Sequence, residues 1–427
     1  MSFQKRRTAC LLVSVHMQVL ILILMLLAEV PVSFSFQVNN RPTNRSLRRC
    51  KYQDGNRVNI ACKKTGTMLC AMKNLPAYLE EHNVDNELYE IICQTATACL
   101  KISKELQRLP ITSLINNGNT NTGRSSGGNI NVQGEEQKAM DVVANDIFIN
   151  ALRNHVAAIA SEEEDSIIIC GACADDSEST RIGKKYEIAF DPLDGSSNLD
   201  VSVPTGSIFG IAPYTPEKPF SSSGRKLVAA GYTVYSSSLE LVISLTTSGE
   251  NSDGMNHSIA AGFTLDPILM SASDADADAN GAEFFVLSRP AMECPSKGKF
   301  YSLNDGREPD WPDGLKKWIY DAKRGLTPSG TVYSSRYVCS LCADVHRTLI
   351  KGGWAGNPRP HLRLLYEAAP LAHIAEACGG LGSDGSINLL DIEPKDIHTR
   401  TCVFIGSVED VEELEAYGDV QQAAKTY

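Results

Sequence analysis

Residues 186–198, YEIAFDPLDGSSN, constrain this chain more tightly than any other stretch. A short β-prone run ends at Phe190 and delivers Asp191 and Asp194 to a turn, where Gly195, Ser196 and Ser197 leave backbone N–H groups open to an anion. Hard divalent cations take one or two carboxylates completed by water and substrate oxygens, and phosphate binds at backbone nests and helix N-termini. Carboxylates for a metal therefore adjoin donors for a phosphate. An acidic surface turn uses the same residue types, so the motif needs partners elsewhere before it signifies chemistry.

Two candidates repeat the layout. The apolar residues 156–160 lead into Ser161, Glu162, Glu163, Glu164 and Asp165, and the run 362–366 ends in Glu367 before a helix predicted over 369–378 that stops at Gly379-Gly380. Four consecutive acids ordinarily mark a solvated loop. Strand ends that each present carboxylates set a shared metal site against that reading.

The remaining pattern is mixed α/β. Leu88, Ile91, Ile92, Cys99, Ile102 and Leu106 recur at helical spacing within 83–110, followed by an Asn/Gly/Ser-rich loop at 116–131. A second helix is predicted from Glu135, with Met140, Val143, Ile147 and Ala151 on one face and Asp141 and Asp146 on others. Beyond the central motif, residues 207–212, 227–235, 239–246 and 259–265 read as strands, and 271–282 as an acidic surface loop. A helix predicted over 334–350 carries Arg336, Tyr337, Asp344, His346 and Arg347.

Length and charge bound the rest. The 427 residues provide two domains' worth of core, and the net charge of −11 conceals a basic leader with eight Lys/Arg and one acid in residues 1–53. The body, at 32 basic against 50 acidic residues, excludes nucleic acid and anionic membranes as partners. Residues 1–35 have the layout of a signal peptide, and the acid-free 36–53 resemble a transit peptide, together a two-part plastid address as in diatoms and related algae. Secretion, with the Asn44-Arg45-Ser46 sequon glycosylated, and a cytoplasmic location are the competing readings. Thirteen dispersed cysteines argue against a secreted disulfide scaffold, and neither Cys170/Cys173 nor Cys339/Cys342 has further ligands at zinc-finger distance.

Several separated motifs now resemble one family: IASEEED at 159–165, FDPLDGSSN at 190–198, TGSIFGI at 205–211, LVAAGYTVY at 227–235, FYSLNDG at 300–306, SSRYVCSLCADVHRTL at 334–349 and LRLLYEAAPLAHIAEACGG at 362–380. The chain resembles the class I fructose-1,6-bisphosphatases from about residue 88 to 414. The resemblance implies a layered α-β-α-β-α sugar phosphatase fold, divided here as 81–265 and 266–427 after a leader (1–35) and a transit-like linker (36–80). It implies a homo-oligomer, tetramer or dimer, that uses Mg²⁺, with Mn²⁺ as a substitute, to remove the 1-phosphate of fructose 1,6-bisphosphate. Carried over by position, Glu162, Asp191, Asp194, Glu367 and the Leu193 carbonyl hold the metals, and Glu163 and Asp141 orient or deprotonate the attacking water. Asp194, Gly195, Ser196 and Ser197 cradle the departing phosphate. Asn304, Tyr337 and Arg336 take the distal phosphate, Arg336 reaching a neighbouring subunit, while His361 and Arg363 lie near the substrate.

Three departures concern specificity. His361 stands where the family usually has lysine, residues 352–360 are short so that a phosphate-binding Tyr has no counterpart, and Arg307 replaces another Tyr. A sedoheptulose-1,7-bisphosphatase or dual-specificity enzyme is the sister reading, and an inactive sugar-phosphate-binding regulator the reading from another class. Residues 213–225 lack the regulatory cysteines of plastid relatives, which leaves Cys170/Cys173 as the candidate redox pair, with thioredoxin its reductant.

Overall fold

The computed structural model describes residues 72–117, 139–170, 183–250, 256–272 and 280–423, all within one unit spanning Asn56–Tyr427. The segments predicted as signal and transit peptides, residues 118–131 of the predicted loop and Cys173 lie outside the described residues, as does most of the acidic stretch 271–282. In chain order the helices are α1 (Leu75–Glu81), α2 (Asn86–Asn117), α3 (Ala139–Leu152), α4 (Pro267–Ala272), α5 (Asp313–Ala322), α6 (Leu341–Lys351), α7 (Ala369–Ala377) and α8 (Val408–Glu415). Strands β1 (Ala158–Ser161), β2 (Ile168–Ile169), β3 (Tyr186–Asp194), β4 (Thr205–Pro213), β5 (Ala229–Tyr235), β6 (Leu239–Glu250), β7 (Asn256–Leu265) and β8 (Phe285–Arg289) form one sheet in the order β2-β1-β3-β4-β5-β6-β7-β8. Strands β9 (Phe300–Ser302), β10 (Ser334–Ser335), β11 (Trp354–Arg363), β12 (Leu381–Ser383) and β13 (Arg400–Gly406) form the second, β10-β9-β11-β13-β12.

Alternation along the strands stacks these elements into five layers. On β4, Phe209 enters a core shared with Leu79, Ile91 and Phe148 of α1–α3, while its neighbour Ile208 enters the opposite core with Val345 of α6 and Leu371 of α7. On β13, Val403 and Ile405 face that same middle core, whereas Cys402 and Phe404 join Trp318 of α5 and Val411 of α8 on the outside. The order is therefore α1–α3, first sheet, α6 and α7, second sheet, α5 and α8. The expected α-β-α-β-α architecture is borne out.

Three predicted elements shift. Helix α3 buries Met140, Asp141, Ala144, Asn145, Phe148, Ile149 and Leu152 and leaves Val143 exposed. Phe148, whose ring stacks on Phe190 at 4.6 Å, decides the rotation, and it turns Asp141 inward rather than onto an outer face. The helix predicted over 334–350 begins only at Leu341, capped by Ser340, whose Oγ accepts the Ala343 N–H at 3.4 Å. Arg336 and Tyr337 precede it, and Cys339 adopts φ +65°. The run 362–366 is not a strand end: β11 stops at Arg363 and Leu364–Ala368 form a π-helical turn entering α7.

Candidate active site

Parallel pairing of β1 with β3 matches Ser161 to Phe190, so both strands release their acids at one edge. Glu162 N–H donates to the Phe190 carbonyl at 3.2 Å. Buried Ser161 Oγ donates to Asn145 Oδ1 at 2.7 Å, and Asn145 Nδ2 donates to Glu164 Oε1 at 2.7 Å. This tether from α3 fixes the acidic turn and turns Glu162 and Glu163 into a cleft of about 450 Å³.

At the end of β3 the register with β4 breaks between Asp191 and Asp194. The Leu193 N–H folds back on Asp191 Oδ1 at 2.9 Å, and Ser207 Oγ holds the Pro192 carbonyl at 2.7 Å. Asp194 then meets the start of α6, accepting from Ser340 Oγ at 2.7 Å, Leu341 N–H at 3.1 Å and Cys342 N–H at 2.8 Å. A carboxylate there satisfies otherwise orphaned helix donors and the positive end of the helix dipole. Gly195 follows at φ +75°; a Cβ at this residue would lie 3.0 Å from Ser340 Cβ and 3.2 Å from the Cys339 carbonyl. A 3₁₀ turn, Ser196–Val201, begins immediately, and Asn198 Nδ2 ties it to the Pro204 and Val338 carbonyls at 3.1 and 3.2 Å.

Glu367 arrives from the π turn, its Oε2 accepting the Arg363 N–H at 2.6 Å. One ligand atom each from Asp191, Asp194 and Glu367 lies within 4.8 Å of the others, and all three residues are buried. Burial, with Glu162 and Glu367 as the nearest added charges, holds Asp191 well above the usual carboxylate range. Burial and Glu162 do the same for Glu367, partly offset by Arg363. Asp194 is raised by burial against the opposing pull of its helix donors. Arg363, only 3% exposed, reaches Glu162 Oε1 at 2.7 Å and Glu367 Oε2 at 4.0 Å. Such a set of oxygen donors fits a hard divalent cation, whose charge would relieve the repulsion that otherwise keeps protons on these acids.

The far end of the cleft is built by the second sheet. Beyond β9, Asn304 Oδ1 caps the turn Asp305–Asp310 by accepting the Gly306 N–H at 3.2 Å, which presents Arg307. The Tyr337 hydroxyl donates to Cys339 Sγ at 3.1 Å, and Asp344 accepts the Val338 and Cys339 N–H groups, each at 3.1–3.2 Å. His361 and Arg359 come from β11. One wall is thus carboxylate-rich and the other offers guanidinium, amide and phenol groups.

Asp141, Glu162, Glu163, Asp191, Leu193, Asp194, Gly195, Ser196, Ser197, Asn304, Tyr337, His361, Arg363 and Glu367 all line this one cleft. Arg336 does not; its Nη1 donates to the Ser335 carbonyl at 2.7 Å and its guanidinium lies over the Phe300 ring. Cys170 is half-buried and its thiol is pushed up to about 11 by burial, which depletes the reactive thiolate. Sequence reasoning did not find Arg359, Gln422, Ser340 or the Asn145 tether, whose roles depend on contacts far apart in the chain.

The chain matches the models of the fructose-1-6-bisphosphatase N-terminal domain over residues 74–268 and C-terminal domain over residues 294–419. It is 40% identical over 363 residues to a chloroplastic fructose-1,6-bisphosphatase of Brassica napus, covering 78% of each protein. It is 37% identical over 378 residues to a class 1 fructose-1,6-bisphosphatase of Cytophaga hutchinsonii, covering 84% of this chain and 98% of the relative. The crystal structure of the Leishmania major fructose-1,6-bisphosphatase in holo form superposes with a TM-score of 0.67 at 30% identity, covering 82% of this chain and 99% of that one. The chain belongs to the class I fructose-1,6-bisphosphatase family.

Proposed function

We propose that this protein hydrolyses the 1-phosphate of fructose 1,6-bisphosphate, giving fructose 6-phosphate and phosphate, in plastid carbon fixation or sugar synthesis. The convergence of Asp191, Asp194 and Glu367 beside the Gly195 turn carries this reading, and the family membership supports it. Mg²⁺, or Mn²⁺ in its place, would be held by Glu162, Asp191, Asp194, Glu367 and the Leu193 carbonyl, and when bound supplies charge neutralisation at the phosphoryl oxygens and a more acidic water. Glu163 and Asp141 orient the attacking water and accept its proton. The N–H groups of residues 195–197 receive the departing phosphate. Asn304, Tyr337 and Arg307 hold the distal phosphate, with Arg336 serving a neighbouring subunit of a homo-oligomer, and His361 and Arg363 flank the sugar. Positioning and electrostatics carry most of phosphoryl transfer, which suits a site made of prepositioned charges. The chloroplastic relatives support a plastid location.

Initial rates of Mg²⁺-dependent phosphate release from fructose 1,6-bisphosphate, sedoheptulose 1,7-bisphosphate and fructose 6-phosphate test the proposal. We expect the first to be preferred and the monophosphate to be inert. A clear preference for the seven-carbon substrate would transfer the assignment to the sister activity, and release from none would leave a binding protein.

A further inference from the structure

Strand β11 brings Arg359, His361 and Arg363 to the cleft from alternate positions. Its pairing with β13 loses register between Asn357 and Leu362, and an irregularity of this kind re-aims side chains. Arg363 sits at the carboxylate end, engaged by Glu162 at 2.7 Å and Glu367 at 4.0 Å. At ~3.3 Å per residue, Arg359 lies as much as ~13 Å back along the strand from Arg363. One strand therefore presents a guanidinium to each of two well-separated parts of the cleft.

The backbone under Arg359 is fixed before any ligand arrives. Pro358 and Pro360 flank it, the first with its own φ locked and the second restricting Arg359 to extended conformations. The Pro358 carbonyl accepts the Gln422 N–H at 2.7 Å and the Cys402 thiol at 2.9 Å, and the Arg359 N–H donates to Asn357 Oδ1 at 3.1 Å. The Arg359 side chain is half-buried, and its guanidinium meets no acceptor among the described residues; nor does that of Arg307, from the turn Asp305–Asp310. Asp344, which also lines the cleft, is already taken by Arg347 Nη2 at 2.8 Å and by the Val338 and Cys339 N–H groups. A half-buried cation without a counter-ion carries a desolvation cost that an arriving anion relieves. Guanidinium forks match the paired oxygens of a phosphate.

We propose that Arg359 is a specificity-determining residue: its guanidinium, with that of Arg307, grips the phosphate at the end of the sugar away from the metal-binding acids, and this contact sets the preference for a bisphosphate over a sugar phosphorylated only at the reacting end. The inference rests on the hydrolytic function proposed above. It adds to that function a residue that holds the substrate by its far phosphate.

The test is Arg359→Gln, which removes the charge and leaves the flanking prolines and the backbone bonds in place. Initial rates of phosphate release from fructose 1,6-bisphosphate and from fructose 1-phosphate are measured for parent and variant, alongside thermal unfolding. We expect the parent to prefer the bisphosphate, and Arg359→Gln to lower the ratio of the two kcat/KM values by at least about tenfold, the change residing in KM for the bisphosphate. Arg359→Lys, which keeps the charge and loses the fork, should recover part of the ratio. A ratio unchanged in Arg359→Gln overturns the inference alone, as does a parent that hydrolyses the two substrates equally well. Equal losses on both substrates accompanied by a lower Tm assign Arg359 a structural role and also overturn it. A parent inert on both substrates contradicts the hydrolytic reading and the inference with it.

Discussion

Glu187 shows how a single side chain can couple this fold to pH. It sits on β3 four residues before Asp191 at 2% exposure, with Oε1 accepting the Phe220 N–H at 3.0 Å and Oε2 unpartnered among the described residues. Burial pushes its pKa up to about 7, against the opposing hydrogen bonds from Phe220 and Thr215. The folded state therefore binds more protons than the unfolded state between pH 4.5 and 7, so this group's contribution to stability falls as pH rises through that window and levels off above it. Glu187→Gln should flatten that fall and stabilise the protein at pH 8 by about 3 kcal/mol, measured as urea midpoints across pH. Equal pH dependence in parent and variant would refute it. At this scale the sequence was most legible where chemistry repeats locally: Asp191 and Asp194 share one turn, and Glu162 and Glu163 follow an apolar run. Glu187, in the same strand, carried no such signal, because an acid in a β-prone run reads as solvent-facing until both sheet faces are seen to be covered. Gln422 is invisible for a related reason, since it meets the Pro358 carbonyl from far along the chain.

The junction of β4 with α6 is the element on which the phosphate turn rests. Gly206 on β4 admits no side chain: a Cβ would stand 2.4 Å from Cys342 Cβ and 2.5 Å from the Thr233 carbonyl. Gly206→Ala should lower stability by about 2–3 kcal/mol and displace α6 from Asp194, seen as a lower Tm together with a raised KM. A variant with parental Tm would show that the junction yields. Ser340→Ala removes one donor to Asp194 and the α6 cap and should cost about 1 kcal/mol in the same unfolding assay, with parental stability counting against the cap. Element types were mostly legible, since strand alternation and helical spacing survive burial. Boundaries were less so. Residues 334–340 contain no Gly or Pro to break a helical reading, and only Asp344, gathering the Val338 and Cys339 N–H groups, shows why the chain turns there before α6 begins. The π turn at Leu364–Ala368 reads as a strand because its apolar run is too short to display a helical period.

Across the whole molecule, two sheets and three helical layers bring acids together from residues 141 to 367, and without a cation those charges oppose folding. Mg²⁺ binding the folded state alone should stabilise it by about 2.7 kcal/mol at one hundred times its Kd, seen as a Tm that rises with Mg²⁺ concentration, and chelation should reverse this. A Tm indifferent to Mg²⁺ would argue against the cluster as its site. The layered architecture was legible through family resemblance rather than periodicity, because layer order depends on which face of each strand finds which helices. If the buried carboxylates serve metal-dependent phosphate release and not stability, removing one charge should cost activity and spare the fold. Asp191→Asn is the decisive variant, since Asn retains the oxygen that accepts the Leu193 N–H while removing the charge. Measured side by side with the parent, this variant should lose on the order of a thousandfold in Mg²⁺-dependent phosphate release from fructose 1,6-bisphosphate, while unfolding at an equal or higher temperature without metal. Parental turnover in Asp191→Asn, or a lower metal-free Tm, would contradict it.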